Sequence, residues 1–215
     1  MRTLAVIPSR YEPNRLASLV DIVWREVSTC IVLDNGHDGL SLPEQVRIVD
    51  SRGLGIYAMW NRAWATARHE GFDYLALLND DIHILPGTLP MLADVLERAP
   101  SIGVSYPDKY APLSAGLPRK PKLDIVRHPA PERTLTGFAF MARVSMFRHP
   151  PFDTEFHWWC GDDAFDRLVR RNGFGVARVI GLPIEHESDS ERDDWARRPE
   201  LRKLAEQDLA RWNAL

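Results

Sequence analysis

The stretch Leu75-Ala76-Leu77-Leu78-Asn79-Asp80-Asp81-Ile82 decides the fold prediction for this chain. Its first four residues form the continuous apolar run that is typical of a strand buried on both faces, as in a parallel sheet. The run leads directly into an amide and two carboxylates, whose oxygens are hard ligands for a cation. Asn and Asp also form turns, and such a triplet taken alone is more often a polar turn. Whether the triplet is a cation site or a polar turn depends on what the other segments of the chain indicate.

Apolar runs and helical spacing alternate on both sides of this stretch. The alternation predicts right-handed crossovers and a largely parallel sheet, with a ligand site beyond the carboxyl ends of the strands. We expect Pro8, Asp34 and Asp81 at that edge. Residues 107–131 contain six prolines, which indicates an irregular loop or short hairpin that can cover a site. The predicted strands are 4–7, 29–33, 46–49, 74–78, 102–106 and 135–142, and the predicted helices are 16–23, 56–69, 86–96, 162–172 and 191–215.

Composition and length favour one α/β domain. The chain has 215 residues, of which 45% are hydrophobic and 27% charged. A net charge of −3 gives no global positive field for nucleic acid or anionic membranes. Cys30 and Cys160 are the only cysteines, which favours reduced thiols in a cytoplasmic protein. No apolar run reaches membrane-spanning length, so we expect no membrane insertion.

Taken in order, seven segments resemble motifs of the family-2 glycosyltransferases of GT-A fold, which transfer a sugar from a nucleotide diphosphate to an acceptor. The resemblance covers about residues 3–190 and implies a single Rossmann-like GT-A domain, with 191–215 as a charged helical extension of the same domain. The segments are Val6–Tyr11, Val32–Gly36, Arg52–Ala63, Asn79–Asp81, Leu135–Met141, Pro151–Asp163 and Ile184–Ser190.

The early segments resemble the part of the family site that holds the donor nucleotide. The resemblance implies that Asp34 binds base or ribose, work that suits a carboxylate because it accepts from N–H and hydroxyl donors. It further implies that Asn79 approaches the ribose and that Asp80 supports it. The other residues that it assigns to the nucleotide are Pro8, Ser9, Arg10, Tyr11, Gly55 and Asn61.

The segment Asn79–Asp81 is similar to the family's metal motif in its Asn-x-Asp form. The resemblance implies that Asp81 ligates a divalent ion and that His186 completes the metal site. A leaving nucleotide diphosphate gains negative charge as the glycosidic bond breaks, and Mg²⁺ or Mn²⁺ neutralises it. Imidazole is a better ligand for Mn²⁺ than for Mg²⁺.

An acidic dyad, Asp162 and Asp163, resembles the family's catalytic base. An inverting transfer needs one carboxylate to take the proton of the acceptor hydroxyl. Alignment on the family's Glu-Asp pair selects Asp163, whereas alignment on the helix core selects Asp162, which we prefer while keeping both. Acidic residues at a helix N-terminus also interact with the helix dipole without any catalytic role.

Two further segments resemble sugar-binding parts of the family site. Thr136 and Gly137 match a strand that lines the donor-sugar pocket, where glycine permits a close approach. Trp158 and Trp159 precede the acidic dyad and offer aromatic faces for a sugar ring, although either can belong to the core.

The resemblance implies a metal-dependent, inverting, hexosyltransferase-like enzyme with a nucleotide-sugar donor, UDP-sugar being favoured because it prevails in the family. Two alternatives share this architecture, namely a sugar-phosphate nucleotidyltransferase and a non-catalytic module that binds nucleotide-sugar or glycan. The acceptor stays open between a glycan, a protein, a small molecule and a modified base in DNA, as does the oligomeric state.

Overall fold

The computed structural model describes residues 1–9, 13–37, 39–127, 135–186 and 199–215. Within these ranges the chain forms a nine-stranded sheet with helices packed against it. The strands are β1 (Thr3–Ser9), β2 (Thr29–Asp34), β3 (Val46–Asp50), β4 (Tyr74–Leu78), β5 (Ile82–Ile84), β6 (Ile102–Asp108), β7 (Lys122–Val126), β8 (Ala139–Arg143) and β9 (Gly175–His186). The helices are α1 (Pro13–Glu26), α2 (Ile56–His69), α3 (Thr88–Arg98), α4 (Gly161–Arg171) and α5 (Pro199–Ala214).

The strand order is β3-β2-β1-β4-β8-β6-β9-β5, and β7 pairs with β9. Strands β3, β2, β1 and β4 are parallel, β8 is antiparallel to both its neighbours, and β6 and β9 are again parallel. The predicted α/β fold with a mostly parallel central sheet is confirmed. Because β1, β2 and β4 run in the same direction, their carboxyl ends lie at one edge of the sheet, as the alternation of strands and helices predicted.

Helices cover both faces of the sheet, which explains the continuous apolar runs of its strands. In β4, Leu75 and Leu77 belong to the cluster formed with α2 and α4, whereas Ala76 and Leu78 belong to the cluster formed with α1 and α3. The first cluster is strongly aromatic. Its large rings are Trp60, Trp64, Phe140, Phe152 and Phe165, which meet in edge-on and tilted pairs.

The structure differs from the sequence prediction in four strands. β8 begins at Ala139 rather than at Leu135, because residues 135–138 form the turn that leads into it. β7 lies inside the proline-rich segment, and both β5 and β9 were missed. β5 has only three residues and β7 is mostly exposed, so neither carries the apolar run by which a strand is recognised.

The C-terminal helix α5 packs against the preceding part of the fold. Its Ala205 and Trp212 are buried, and the Arg167 guanidinium of α4 lies 5.8 Å from the centre of the Trp212 ring. The start of the predicted 191–215 helix lies outside the described residues, and the helix that is described begins at Pro199.

Both cysteines are buried and are not joined in a disulfide, and burial raises the pKa of the Cys30 thiol to about 12. No helix in the described part of the chain has the length and hydropathy needed to cross a membrane.

Candidate functional site

The ends of three neighbouring strands bring the early predicted residues to one edge of the sheet. Ser9 closes β1 in register with Asp34 at the end of β2. Asn79 follows β4, and its backbone N–H donates to the Phe138 carbonyl at 2.8 Å. That hydrogen bond brings the Thr136–Phe138 turn to the same edge. Arg10 and Tyr11, the other predicted residues of the first loop, lie outside the described residues.

A buried serine links two of these strand ends. Ser9 Oγ donates to Asp80 Oδ2 at 2.6 Å and lies 2.8 Å from His37 Nε2. Since the hydroxyl has a single hydrogen, which goes to the carboxylate, the His37 nitrogen must be the donor in the second contact. Asp80 is therefore held by the end of β1, and its supporting role toward the nucleotide stays a prediction. Sequence reasoning missed His37, which had no signal beyond its position after the Asp34-Asn35-Gly36 turn.

Asp34 organises its own loop. Its Oδ1 accepts hydrogen bonds from the backbone N–H groups of Gly36 at 3.0 Å and His37 at 2.9 Å. Burial acts to raise the pKa of this carboxyl, but these hydrogen bonds and the nearby His37 and Arg52 outweigh burial and lower it. Asp34 is consequently ionised at neutral pH. Its predicted contact with base or ribose would use the second carboxylate oxygen.

Asp81 and His186 meet although they are distant in sequence. The pairing of β5 with β9 sets Ile82 opposite His186, and this brings His186 Nε2 to 3.2 Å from Asp81 Oδ1. This oxygen is buried but accepts no hydrogen bond from the described residues. The imidazole itself stacks on the Phe138 ring, with centroids 4.4 Å apart and planes at 10°.

The pair fits a divalent metal ion. The buried Asp81 oxygen has no hydrogen-bond donor among the described residues, and carboxylate oxygen and imidazole nitrogen are both ligands that such an ion accepts. No three His, Cys, Asp or Glu side chains come together as a metal site within the described residues. Such ions in nucleotide enzymes are often held by one or two protein ligands, with substrate phosphates and water completing the shell.

The acidic dyad lies in the first turn of α4, and its two members have different surroundings. Asp163 is buried, with 5% of its surface exposed, whereas Asp162 is partly exposed. Asp162 lies directly against Gly137, where a Cβ atom would come within 2.3 Å of Asp162 Oδ2. The glycine therefore makes room for the Asp162 carboxylate, and its predicted place in a donor-sugar pocket stays a prediction.

Tyr57 also lies beside the start of α4. Its phenol oxygen accepts a hydrogen bond from Gly161 N at 2.9 Å. Burial, together with the negative charge of Asp162, raises the pKa of Tyr57 well above its ordinary value. Tyr57 is thus a neutral phenol beside the dyad at every working pH.

The remaining predicted residues lie in different environments. Trp158 is 42% exposed, whereas Trp159 packs partly against the aromatic core, so Trp158 offers the accessible ring. Thr136 Oγ1 is buried and has no hydrogen-bond partner among the residues described. Gly55 caps the N-terminus of α2, with no neighbouring atom within 4 Å of a Cβ placed there.

Asn61 uses both polar atoms of its side chain in hydrogen bonds to the backbone. Its amide nitrogen donates to the Phe152 carbonyl at 2.7 Å, and its oxygen accepts from Phe152 N at 2.9 Å. These bonds join α2 to the segment that precedes the dyad. Asn61 therefore has a structural role in this fold, and its contact with nucleotide stays a prediction.

No family model and no curated protein matches the sequence. Solved structures are similar in fold. The S. aureus TarS 1–349 structure has 15% identity and a TM-score of 0.58 over 83% of this chain and 58% of its own. The mannosyltransferase PcManGT from Pyrobaculum calidifontis, in complex with GDP-Man and Mn²⁺, has 12% identity and a TM-score of 0.59 over 85% of this chain and 56% of its own.

Mannosyl-3-phosphoglycerate synthase from Rubrobacter xylanophilus has 14% identity and a TM-score of 0.56 over 96% of this chain and 74% of its own. At these identities the similarity shows the fold, which is the GT-A type predicted from the motifs. The chain spans less than two thirds of the TarS fragment and of PcManGT.

Proposed function

We propose that this protein is a metal-dependent, inverting hexosyltransferase that moves a sugar from a nucleoside diphosphate donor, a UDP-sugar, to an acceptor hydroxyl. One observation carries the proposal. The Gly137–Phe138 segment touches Asp162 through the glycine and stacks on His186 through the phenyl ring. The proposed base and the proposed metal pair therefore flank the same two residues, an arrangement in which donor and acceptor can meet between them.

Asp81 and His186 are the residues that would hold Mn²⁺ or Mg²⁺. When bound, the ion would supply positive charge that stabilises the diphosphate leaving group. Ser9 holds Asp80 and Asp34 shapes the second loop, so the strand ends form a rigid edge for base and ribose. Pro8 and Asn79 complete the proposed nucleotide contacts, and the accessible ring of Trp158 is a proposed contact of the donor or acceptor sugar.

Asp162 is the proposed base. The acceptor oxygen attacks the anomeric carbon, the bond from that carbon to the diphosphate oxygen breaks, and its electron pair leaves with the nucleoside diphosphate. The acceptor proton passes to the Asp162 carboxylate. We prefer Asp162 to Asp163 for this role because Asp162 is partly exposed and lies against Gly137, whereas Asp163 is buried.

We also propose that residues 1–190 and α5 form one domain. Support comes from α5 itself, which buries Ala205, Asp208 and Trp212 against the rest of the fold.

The test is release of nucleoside diphosphate from UDP-, GDP- and dTDP-hexoses with Mn²⁺ present. We expect UDP release that depends on metal and falls by about 100-fold in Asp81→Asn. Asp94→Asn is the matched control, because Asp94 lies on α3 and forms an exposed ion pair with Arg98, one turn along the same helix. Consumption of a nucleoside triphosphate with a sugar phosphate would instead identify a nucleotidyltransferase. Donor binding without release would identify a binding module.

A further inference from the structure

A single buried carboxylate on α5 holds the loop that leads into α4. Asp208 Oδ2 accepts from Trp158 N and Trp159 N, both at 2.7 Å, and both Asp208 oxygens accept from His157 N, at 3.0 and 3.1 Å. His157 Nδ1 lies 3.3 Å from Oδ1. Successive backbone N–H groups of this kind form a concave anion site, and here an internal carboxylate occupies it.

Burial makes this contact strong. Asp208 is 1% exposed, and an ionised carboxylate in such surroundings is tolerated only when hydrogen bonds replace its water shell. Hydrogen bonds to charged acceptors are shorter and stronger than neutral ones, which agrees with the two contacts of 2.7 Å. The position of the 157–159 backbone is therefore set by the side chain of a distant helix.

The same backbone leads directly to the proposed base. Cys160 adopts a left-handed conformation with φ of 62°, and Gly161 N donates to Tyr57 at 2.9 Å. Asp162 follows in the first turn of α4. The amides of residues 157, 158, 159 and 161 are thus all bonded to two side chains, Asp208 and Tyr57, that come from other elements. A shift of this loop would displace both Trp158 and Asp162.

We propose that Asp208 is a positioning residue for sugar transfer, which holds Trp158 and Asp162 in their working places without contacting substrate. This inference rests on the proposed function. It also predicts that a substitution of Asp208 affects turnover and nucleotide binding differently. Since Asp208 bonds to the dyad loop and not to the nucleotide edge, its loss should lower kcat and leave Mn²⁺-dependent nucleotide binding unchanged.

The test compares Asp208→Asn with Arg211→Gln. The asparagine keeps the size of the side chain but presents an N–H₂ group to backbone donors. Arg211 lies on the same helix and donates to Asp153 at 2.7 Å in a partly exposed ion pair. We expect D208N to lower kcat by about 100-fold, as small misplacements of reacting groups do. R211Q should stay within about twofold of wild type, because partly exposed ion pairs contribute little.

Amide hydrogen exchange measures the contact without any substrate. In the wild-type protein the amides of residues 157–159 should exchange slowly, and in D208N they should exchange much faster while those of β1 and β4 stay protected. Fast exchange of these amides in the wild type would overturn the proposal even if D208N fails to fold. An unchanged kcat in a folded D208N with exposed amides would also overturn it. A wild type that transfers nothing but protects these amides would refute the proposed function and leave the loop contact standing.

Discussion

The phenyl ring of Phe138 lies flat against the imidazole of His186, with ring centroids 4.4 Å apart and planes 10° from parallel. The stack orients the nitrogen that lies 3.2 Å from Asp81 Oδ1. Phe138 also fixes the strand end, because its carbonyl accepts the Asn79 N–H. One residue thus couples the proposed metal pair to the edge of the sheet.

Replacing Phe138 by Ala should weaken Mn²⁺-dependent binding of UDP by about 10-fold, because residues that orient metal ligands affect affinity on this scale. Titration calorimetry with UDP at saturating Mn²⁺ measures the loss. Phe138→Tyr keeps the aromatic face and should bind as the wild type does. Equal affinities of F138A and wild type would show that the stack does not support a metal site.

Gly137→Ala should disturb the proposed base directly. The added methyl group would come within 2.3 Å of Asp162 Oδ2, so the carboxylate has to move. We expect kcat to fall by about 100-fold, with nucleotide affinity retained. Steady-state kinetics together with UDP binding separate the two effects, and a normal kcat in G137A would contradict the placement of Asp162 as base.

Asp162→Asn and Asp163→Asn should have different consequences. Asp162 is partly exposed, so its substitution should remove turnover and leave the melting temperature nearly unchanged. Asp163 is buried, and its substitution should lower the stability of the protein by about 1–3 kcal/mol. Steady-state kinetics and thermal unfolding of both variants show which aspartate acts in turnover and which one stabilises the fold. Full turnover in D162N, with none in a folded D163N, would reverse the assignment.

Ser9→Ala should destabilise the nucleotide edge. It leaves Asp80 Oδ2 and His37 Nε2 without the hydroxyl that joins them, at a cost of about 1–3 kcal/mol. Urea unfolding measures this loss. Ser105→Ala is the control, because that buried hydroxyl only donates to a helix carbonyl and should cost about 1 kcal/mol. Equal losses of stability in the two variants would mean that the Ser9 hydroxyl stabilises the fold no more than an ordinary buried hydroxyl does.

Asp34 should make stability depend on pH. Its pKa is lowered in the folded protein, so its contribution is complete above the unfolded value of about 3.9 and is lost as pH falls through the folded value. Asp34→Asn should therefore be less stable than wild type at pH 7, and the difference should shrink as the solution is acidified below about pH 4. Denaturant unfolding across this range tests the sign. A difference that grows on acidification would contradict the lowered pKa.

The sequence could predict the parts of the site that depend on local pattern. The apolar run before Asn79 predicts a strand buried on both faces, and polar residues that directly follow parallel strands must share one edge. On that basis the sequence predicts Pro8, Asp34 and Asp81 at one edge of the sheet. It could not foresee β5, a strand of three residues, nor the long β9 that pairs with it.

Only the tertiary structure decided which side chains meet. His186 reaches Asp81 because β5 pairs with β9, and Asp162 reaches Gly137 because α4 packs beside the β8 turn. The sequence favoured Asp162 only through alignment on the helix core, whereas the burial of Asp163 depends on what the helix packs against. Asp208 had no motif at all. Its role arises from a contact between a C-terminal helix and a loop some fifty residues earlier, and such contacts are set by packing and not by the periodicity of either segment.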